Sequence, residues 1–328
     1  MFFEKDVPYY ACNRDFGGVD GLEIVLYSRW NEVRSKVFSS LSGSDVAIIT
    51  SYCPDSCAAY EAVFDSNTRT RLFYDMDTPV TLGMMSRGKW PDYIMPQGLA
   101  DFDMVLSYTA GSSLVQLQQA LGAARVSTLF GCVDPEVHCP TVGTKNSAAD
   151  LSYLGTYASD RQVVLNRLFF DVSLRMSLKK FCIAGALYPT QTHWGENVSF
   201  LGHIDVKDHP SFYCSSRFTL NVTRADMASC GYCPSARIFE AASCGVPVIS
   251  DKWQGIDLFL TPGTEILLVS DTDEVGQILE MDEAQRSRIA KKARERVLCE
   301  HTASKRAEQL EGIIEGVCQK RRASQCGG

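Results

Sequence analysis

Two features of the stretch ASCGYCPSARIFEAASCGVPVIS (Ala228–Ser250) could do chemistry. Cys230 and Cys233 form a CxxC pair, the spelling of half a zinc site or of a redox disulfide. Arg237 and Glu240 follow three residues apart, on neighbouring positions of one helical face. A structural zinc needs four ligands, but the chain has no second CxxC and no His-x3-5-His. Cys244 lies 11 residues beyond Cys233 with a helix predicted between. At 1.5 Å per residue that is roughly 16 Å, too far for two Zn–S bonds of about 2.3 Å. A redox role would draw on Cys233, which precedes Pro234 at a helix start, where a thiol's pKa falls. A thioredoxin-like pair, however, comes after the first strand of a small domain, and this one lies late in the chain.

The helix beyond the pair offers a different chemistry. Pro234 suits its first turn and Gly245 its end, and Val246-Pro-Val-Ile-Ser reads as the next strand. Unsatisfied N–H groups at the helix start, the small Gly231 and the cation Arg237 are suited to a diphosphate. Glu240, further along the same face, can accept two ribose hydroxyls. The alternative is an exposed i,i+3 ion pair between Arg237 and Glu240, contributing a few tenths of a kcal/mol.

Asp75-Met-Asp77 spells D-x-D at the end of Leu72-Phe-Tyr. Such a pair can hold a divalent cation against a diphosphate. It can also contribute a base or an acceptor contact, or cap the next turn. Asp55, after Tyr52-Cys-Pro, ends another strand and is a weaker candidate. His138, His193, His203, His209 and His301 show no metal-ligand spacing with one another. No G-x-S-x-G elbow, phosphate-binding Walker loop or dinucleotide fingerprint occurs.

These groups need elements to hold them. The 328 residues suggest two domains, and 45% hydrophobic with 22% charged residues is ordinary for a globular chain. A net charge of −7 gives no overall basic footprint for nucleic acid; the basic stretches Lys291–Arg296 and Lys320–Arg322 read as solvated faces. No apolar run approaches the roughly 18–20 residues of a membrane span, and the start lacks signal-peptide character. The 13 scattered cysteines are an odd number, which argues against a disulfide framework and for a reducing, cytoplasmic setting.

Short apolar runs recur between helical stretches. They cover Leu22–Leu26, Val46–Thr50, Arg71–Tyr74, Met104–Tyr108 and Val126–Phe130, then Ser152–Thr156, Phe181–Ala184, Val198–Leu201, Phe218–Val222, Val246–Ser250 and Ile266–Val269. This is the pattern of buried parallel strands. Residues 131–150, with Pro135, Pro140 and Gly143, read as a linker. Asp160 is a plausible N-cap for the helix after it. A closing helix should begin near Asp282, break around His301 and place Leu310, Ile313, Ile314 and Val317 on one face. The reading is α/β with two doubly wound domains: 1–145, 146–300, and a closing helix with tail over 301–328. Such sheets bind ligands beyond the carboxyl ends of their strands, and a cleft between domains is the natural site.

At this level the chain resembles the GT-B glycosyltransferases, most closely the CgeB-like, spore-maturation branch. The resemblance rests on Phe239-Glu-Ala-Ala, Cys244-Gly-Val-Pro-Val-Ile-Ser, Gly255 and Pro262-Gly263. It also rests on YLGTYASDRQ (Tyr153–Gln162), SFLGHI (Ser199–Ile204), FTLNVTRADM (Phe218–Met227) and FYDMDTPVTL (Phe73–Leu82). It implies two Rossmann-like domains and transfer of a sugar from a nucleoside diphosphate donor, UDP-linked, to an acceptor it does not identify. No obligatory cofactor or metal is implied. Glu240 would be the ribose-binding glutamate. Arg237, Ser235 and the Gly231 loop would face the diphosphate. Gly185, Tyr188, Gly202 and His203 would line the nucleotide pocket, with Asn221 and Arg224 from the Phe218–Met227 block. Gly255 and Asp257 would lie near the diphosphate or sugar, and Asp77, with Asp75, would act on the acceptor.

Two positions depart from the pattern. Eight residues before Glu240, where many retaining members carry a glutamate, stands Tyr232. Relatives usually begin with a strand, a Gly-rich loop and a helix. FFEKDVPYYACNRD resembles the stretch after that helix, so the first βα unit is expected to be absent. Alternatives of the same fold are a nucleotide-sugar epimerase or hydrolase. A non-catalytic nucleotide-sugar or partner-binding protein is the alternative of another class.

Overall fold

The computed structural model describes residues 1–11, 14, 18–144, 147–190, 192 and 194–326. His193 and the boundary expected at residues 145 and 146 lie outside them, as do the side chains of Lys320–Arg322. The chain divides into two compact units, residues 1–130 with 308–328 and residues 131–307.

In the first unit β1 (Phe2–Lys5) and β2 (Ile24–Tyr27) pair in parallel. Strands β3 (Val46–Thr50), β4 (Thr70–Asp75), β5 (Met104–Ser107) and β6 (Val126–Thr128) form a parallel sheet in that order. The central strands β4 and β5 are covered on both faces, which is why Leu72, Phe73, Val105 and Leu106 are apolar in succession. Phe73 packs with Val33, Val37, Ile49 and Leu117 on one side. Its neighbour Leu72 joins Leu106, Leu129 and the helical residues Leu310, Ile313 and Ile314 on the other, because successive strand residues point to opposite faces. The expected apolar stripe of the last helix thus covers β4 and β5. β1 is absent from the expected strands: four residues, FFEK, carry too little pattern to be read.

The second unit is one parallel sheet of β7 (Ala149–Leu154), β8 (Phe181–Ala184), β9 (Val198–Phe200), β10 (Ser216–Asn221), β11 (Val248–Asp251) and β12 (Leu267–Val269), in the order β12-β11-β10-β7-β8-β9. The first strand is central, with later strands added outward on both sides. This is the doubly wound order, and its switch point lies between β7 and β10. β7 starts earlier than its apolar run because Ala149 is in register with Ser216 across the sheet.

Three local expectations are corrected. Asp160 does not cap its helix: Ala158 holds the N-cap of Ser159–Leu165, and Asp160 Oδ2 accepts instead from Arg224 Nε and the Ala225 N–H, both at 3.0 Å. Pro234 precedes the first turn, since Ser235 is the N-cap of Ala236–Ser243. The segment read as a linker packs on the second unit: Val133 is bridged to Thr302, and Ser243 Oγ donates to the His138 carbonyl at 2.5 Å. The closing helix begins after Asp282, whose side chain accepts from the Gln285 N–H. It runs Glu283–Glu300, and a second helix, Ala303–Cys326, comes after the break at His301. Among the described residues, no helix is long and apolar enough to cross a membrane.

Candidate functional site

The second unit gathers most of the chemistry-bearing residues at the carboxyl ends of its strands. Beyond β7 and β8 the backbone crosses itself closely. The Gly155 N–H donates to the Ala184 carbonyl at 2.8 Å, and the Gly185 N–H to the Gly202 carbonyl at 2.6 Å. Gly185 has φ 147°, and a Cβ there would collide with the Gly155 carbonyl oxygen; only glycine fits. Leu187, two residues on, also has positive φ, at 65°. The turn carries Tyr188, whose hydroxyl is buried with no hydrogen-bond partner and whose ring packs edge-on against Tyr157, Trp194 and Phe200. Gly202 turns with φ 68°. His203 is half-exposed, 3.7 Å from the Asp205 carboxylate.

Beside this turn lies a cluster of cations. Arg161 is only 5% exposed and donates to the Thr156 carbonyl at 2.5 Å. Burial lowers its pKa first, and the nearby positive charges of Arg237 and Arg224 lower it further. The same neighbourhood reaches Tyr188: burial pushes its pKa up, against the pull of Arg161 and Arg237. Three guanidinium groups therefore converge near the switch point. Arg224 is balanced by Asp160 at 3.0 Å. Among the described residues neither Arg161 nor Arg237 has a carboxylate partner; Arg237 Nη1 donates to Ser235 Oγ at 3.3 Å. Asn221, buried at the end of β10, donates to Ser250 Oγ at 3.0 Å, and its own oxygen is buried without a partner.

Glu240 lies on the helix Ala236–Ser243. The alternative of an ion pair with Arg237 does not form. The Tyr213 hydroxyl donates to Glu240 Oε2 at 2.9 Å, and His209 Nδ1 stands 3.7 Å from the same oxygen. Burial pushes the Glu240 pKa up, but His209, the charge of His138 and the Tyr213 hydroxyl outweigh it and hold the carboxylate below its usual range. Glu240 keeps 18% of its side chain exposed, and its carboxylate is held ionised by these polar neighbours.

The loop carrying Gly231 and Tyr232 clasps the one carrying Gln254 and Gly255. The Tyr232 N–H donates to the Gln254 carbonyl at 2.6 Å. Gly231 has φ 69° and Tyr232 φ 50°. A Cβ on Gly255, φ 87°, would run into the Tyr232 ring. Tyr232 thus serves as packing for the Gly255 turn. Asp257 is next, exposed, in the short turn Ile256–Leu258. Cys233 is buried and Cys230 partly so.

In the first unit Asp75 is fully buried at the end of β4. Its Oδ1 accepts from Thr81 Oγ1 at 3.0 Å and from the Asp77 N–H at 3.2 Å; Oδ2 is buried without a partner. Desolvation raises its pKa to about 6. Asp75 therefore closes its own turn, and Asp77, partly exposed, sits at the N-cap position of Thr78–Ser86. Asp55 is held by Lys5 at 3.1 Å and by the Tyr27 hydroxyl at 3.0 Å.

Sequence reasoning missed Arg161, Tyr213, His138 and His209. Arg161 lies within the block Tyr153–Gln162, and its burial, the signal that marks it, is not written in the sequence. Tyr213 and the two histidines carry no spacing signal, being tens of residues from Glu240.

Residues 161–312 match the family described as Glycosyl transferase-like. A search of curated protein sequences finds no match. Among solved structures, sucrose-phosphate synthase from Thermosynechococcus elongatus is similar at 14% identity and TM-score 0.64, over 92% of this chain and 82% of that one. Anabaena HepE in complex with UDP-glucose is similar at 14% identity and TM-score 0.63, over 90% and 85%. TarM of S. aureus, crystallised with Fondaparinux, alpha-GlcNAc-glycerol and UDP, is similar at 12% identity and TM-score 0.59, over 85% and 58%. With its parallel sheets and this set of neighbours, the chain has the GT-B fold, built on two Rossmann-like units.

Proposed function

We propose that the protein is a glycosyltransferase that takes a sugar from a UDP-linked donor, in the CgeB-like branch, with the cytoplasm as its setting. The observation that carries this is the arginine cluster. Arg161 is buried against two like charges and no carboxylate. A buried cation so placed is costly unless an anion joins it, and a diphosphate supplies two phosphoryl groups to three guanidiniums. The glycines at 155, 185 and 202 let the loops beside the arginines pack closely on one another, and Glu240 takes the ribose hydroxyls.

In this reading the arginines do more than bind. Negative charge grows on the diphosphate as the sugar leaves it. Cations already fixed in place stabilise that charge without reorganising. The diphosphate then needs no metal ion. Asp77 is the proposed base for the acceptor hydroxyl, positioned by Asp75 through the Asp77 N–H. Support for UDP comes from the UDP and UDP-glucose in the HepE and TarM complexes.

The test is a thermal-shift and calorimetric screen of UDP, ADP, GDP and their glucose conjugates. A ligand that binds only the folded state raises the melting temperature by mass action. UDP and UDP-glucose should raise it most. No shift with any nucleotide at millimolar concentration would sink the proposal.

A further inference from the structure

We propose that His138, His209 and Glu240 form a binding site for a divalent transition-metal ion of the zinc type. Each offers one ligand atom, and the three atoms lie within 4.8 Å of one another. His209 Nδ1 is 3.7 Å from Glu240 Oε2. Ligands about 2.0–2.1 Å from a tetrahedral zinc lie about 3.3–3.5 Å apart. The group is therefore within small side-chain rotations of coordination.

The second observation is the state of the imidazoles. His138 is only 6% exposed, and both its ring nitrogens are buried with no hydrogen-bond partner; His209 Nδ1 is likewise buried without a hydrogen bond, the Glu240 carboxylate standing 3.7 Å away. Buried polar groups nearly always have partners. A cation would pair one nitrogen of each ring with the Glu240 carboxylate: His209 Nδ1 and one of the two on His138. The two rings lie 6.0 Å apart between centroids and are tilted by 52°, so they are neighbours that do not stack.

The supports of these residues are fixed. The His138 N–H donates to the Asp134 carbonyl at 2.8 Å, and its carbonyl accepts from Ser243 Oγ. Tyr213 orients the carboxylate through Oε2. Hydrogen bonds behind a ligand fix its orientation and raise metal affinity. Two imidazoles and one carboxylate suit zinc, whereas magnesium and calcium prefer all-oxygen sets. Three protein ligands leave a fourth position open. The ion would tie together the 131–148 segment, the helix His209–Cys214 and the helix Ala236–Ser243. It would also hold the carboxylate that the proposed function gives to ribose, and the site is otherwise independent of that role.

The experiment uses the full chain. Protein stripped with a chelator is titrated with zinc against a competing indicator, and with cobalt while recording visible absorption. One equivalent of zinc and an intense tetrahedral cobalt spectrum are expected, with both lost in His138→Gln/His209→Gln. No retained zinc and no tetrahedral cobalt band in the unaltered chain overturns the proposal, whether or not the variant folds. So does a folded variant that binds zinc as the unaltered chain does. UDP binding is measured on the same metal-free protein. UDP binding without zinc binding sinks only the metal site, and zinc binding without UDP binding sinks only the nucleotide reading.

Discussion

The Tyr213 hydroxyl donates to Glu240 Oε2 at 2.9 Å, from a side chain that is itself 1% exposed. Tyr213 stands on the helix His209–Cys214 and Glu240 on Ala236–Ser243. The bond fixes one of the two carboxylate oxygens. In the proposed reading this separates two tasks: Oε2 is held by Tyr213, and the other oxygen takes the ligand.

Removing the carboxylate should therefore weaken binding. Glu240→Ala is expected to lower UDP affinity by roughly 1–3 kcal/mol, the range for hydrogen bonds to charged groups, read by calorimetry. Tyr213→Phe removes only the donor and should lower stability by about 0.5–1.5 kcal/mol, with a smaller loss of affinity. Unchanged affinity in Glu240→Ala would return Glu240 to a purely structural role.

The Gly255 turn gives a steric prediction. With φ 87° and the Tyr232 ring where a Cβ would go, Gly255→Ala should destabilise by about 1–3 kcal/mol. Gly255→Ala in a Tyr232→Ala background should recover part of that, since the ring is then gone and only the backbone strain remains. A double-mutant cycle by denaturant unfolding measures this coupling. Strict additivity would contradict the packing described.

Asp75 makes stability fall as pH rises. Its folded pKa is raised to about 6, above the roughly 3.9 of an unfolded aspartate. The folded state binds the proton more tightly, so the contribution is full below about pH 4 and lost as pH climbs through 6. Asp75→Asn, which cannot ionise, should gain about 2–3 kcal/mol relative to the unaltered chain between pH 4 and pH 7. Parallel pH–stability curves for the two proteins would refute the assignment.

His301 acts in the opposite sense. Its ring stacks on Phe239 at 4.7 Å; Nε2 lies 3.2 Å from the Phe259 carbonyl and Nδ1 2.9 Å from an Arg306 nitrogen. Burial foremost, then the charge of Arg306, lowers its pKa to about 4. The unfolded chain, near 6.5, takes the proton first. The contribution is present above about pH 6.5 and is lost as pH falls toward 4, by about 2–3 kcal/mol. His301→Gln should flatten that limb of the curve, as tracked by thermal unfolding across pH 4–7.

Much of the fold is legible because its signals are local. Buried parallel strands are continuous apolar runs, so β3 and β8 can be read to the residue and the other runs to within a few positions. The break at His301 and the cap at Asp282 are likewise written in neighbouring residues. Asp160 shows the limit. It has a good capping residue's chemistry, yet its carboxylate goes to Arg224 and Ala225, 64 and 65 residues away, because a guanidinium and the first N–H of the helix Ala225–Cys230 together bind it better than one N–H of its own helix.

The sequence by itself determined the alternation of strand and helix, the glycines where backbones must approach, and the helix bearing Arg237 and Glu240. These come from period, turn chemistry and spacing within a single element. Only the tertiary structure decided which partners those side chains meet. Folding the doubly wound sheet brings Arg161 beside Arg224 and Arg237, and Tyr213, His209 and His138 around Glu240. Those partners come from separate crossover connections, and no local pattern links them. The cysteine pair that stands out in ASCGYCPSARIFEAASCGVPVIS is legible because its members are close in sequence, whereas the orphaned nitrogens of His138 and His209 become visible only once burial has removed water from them.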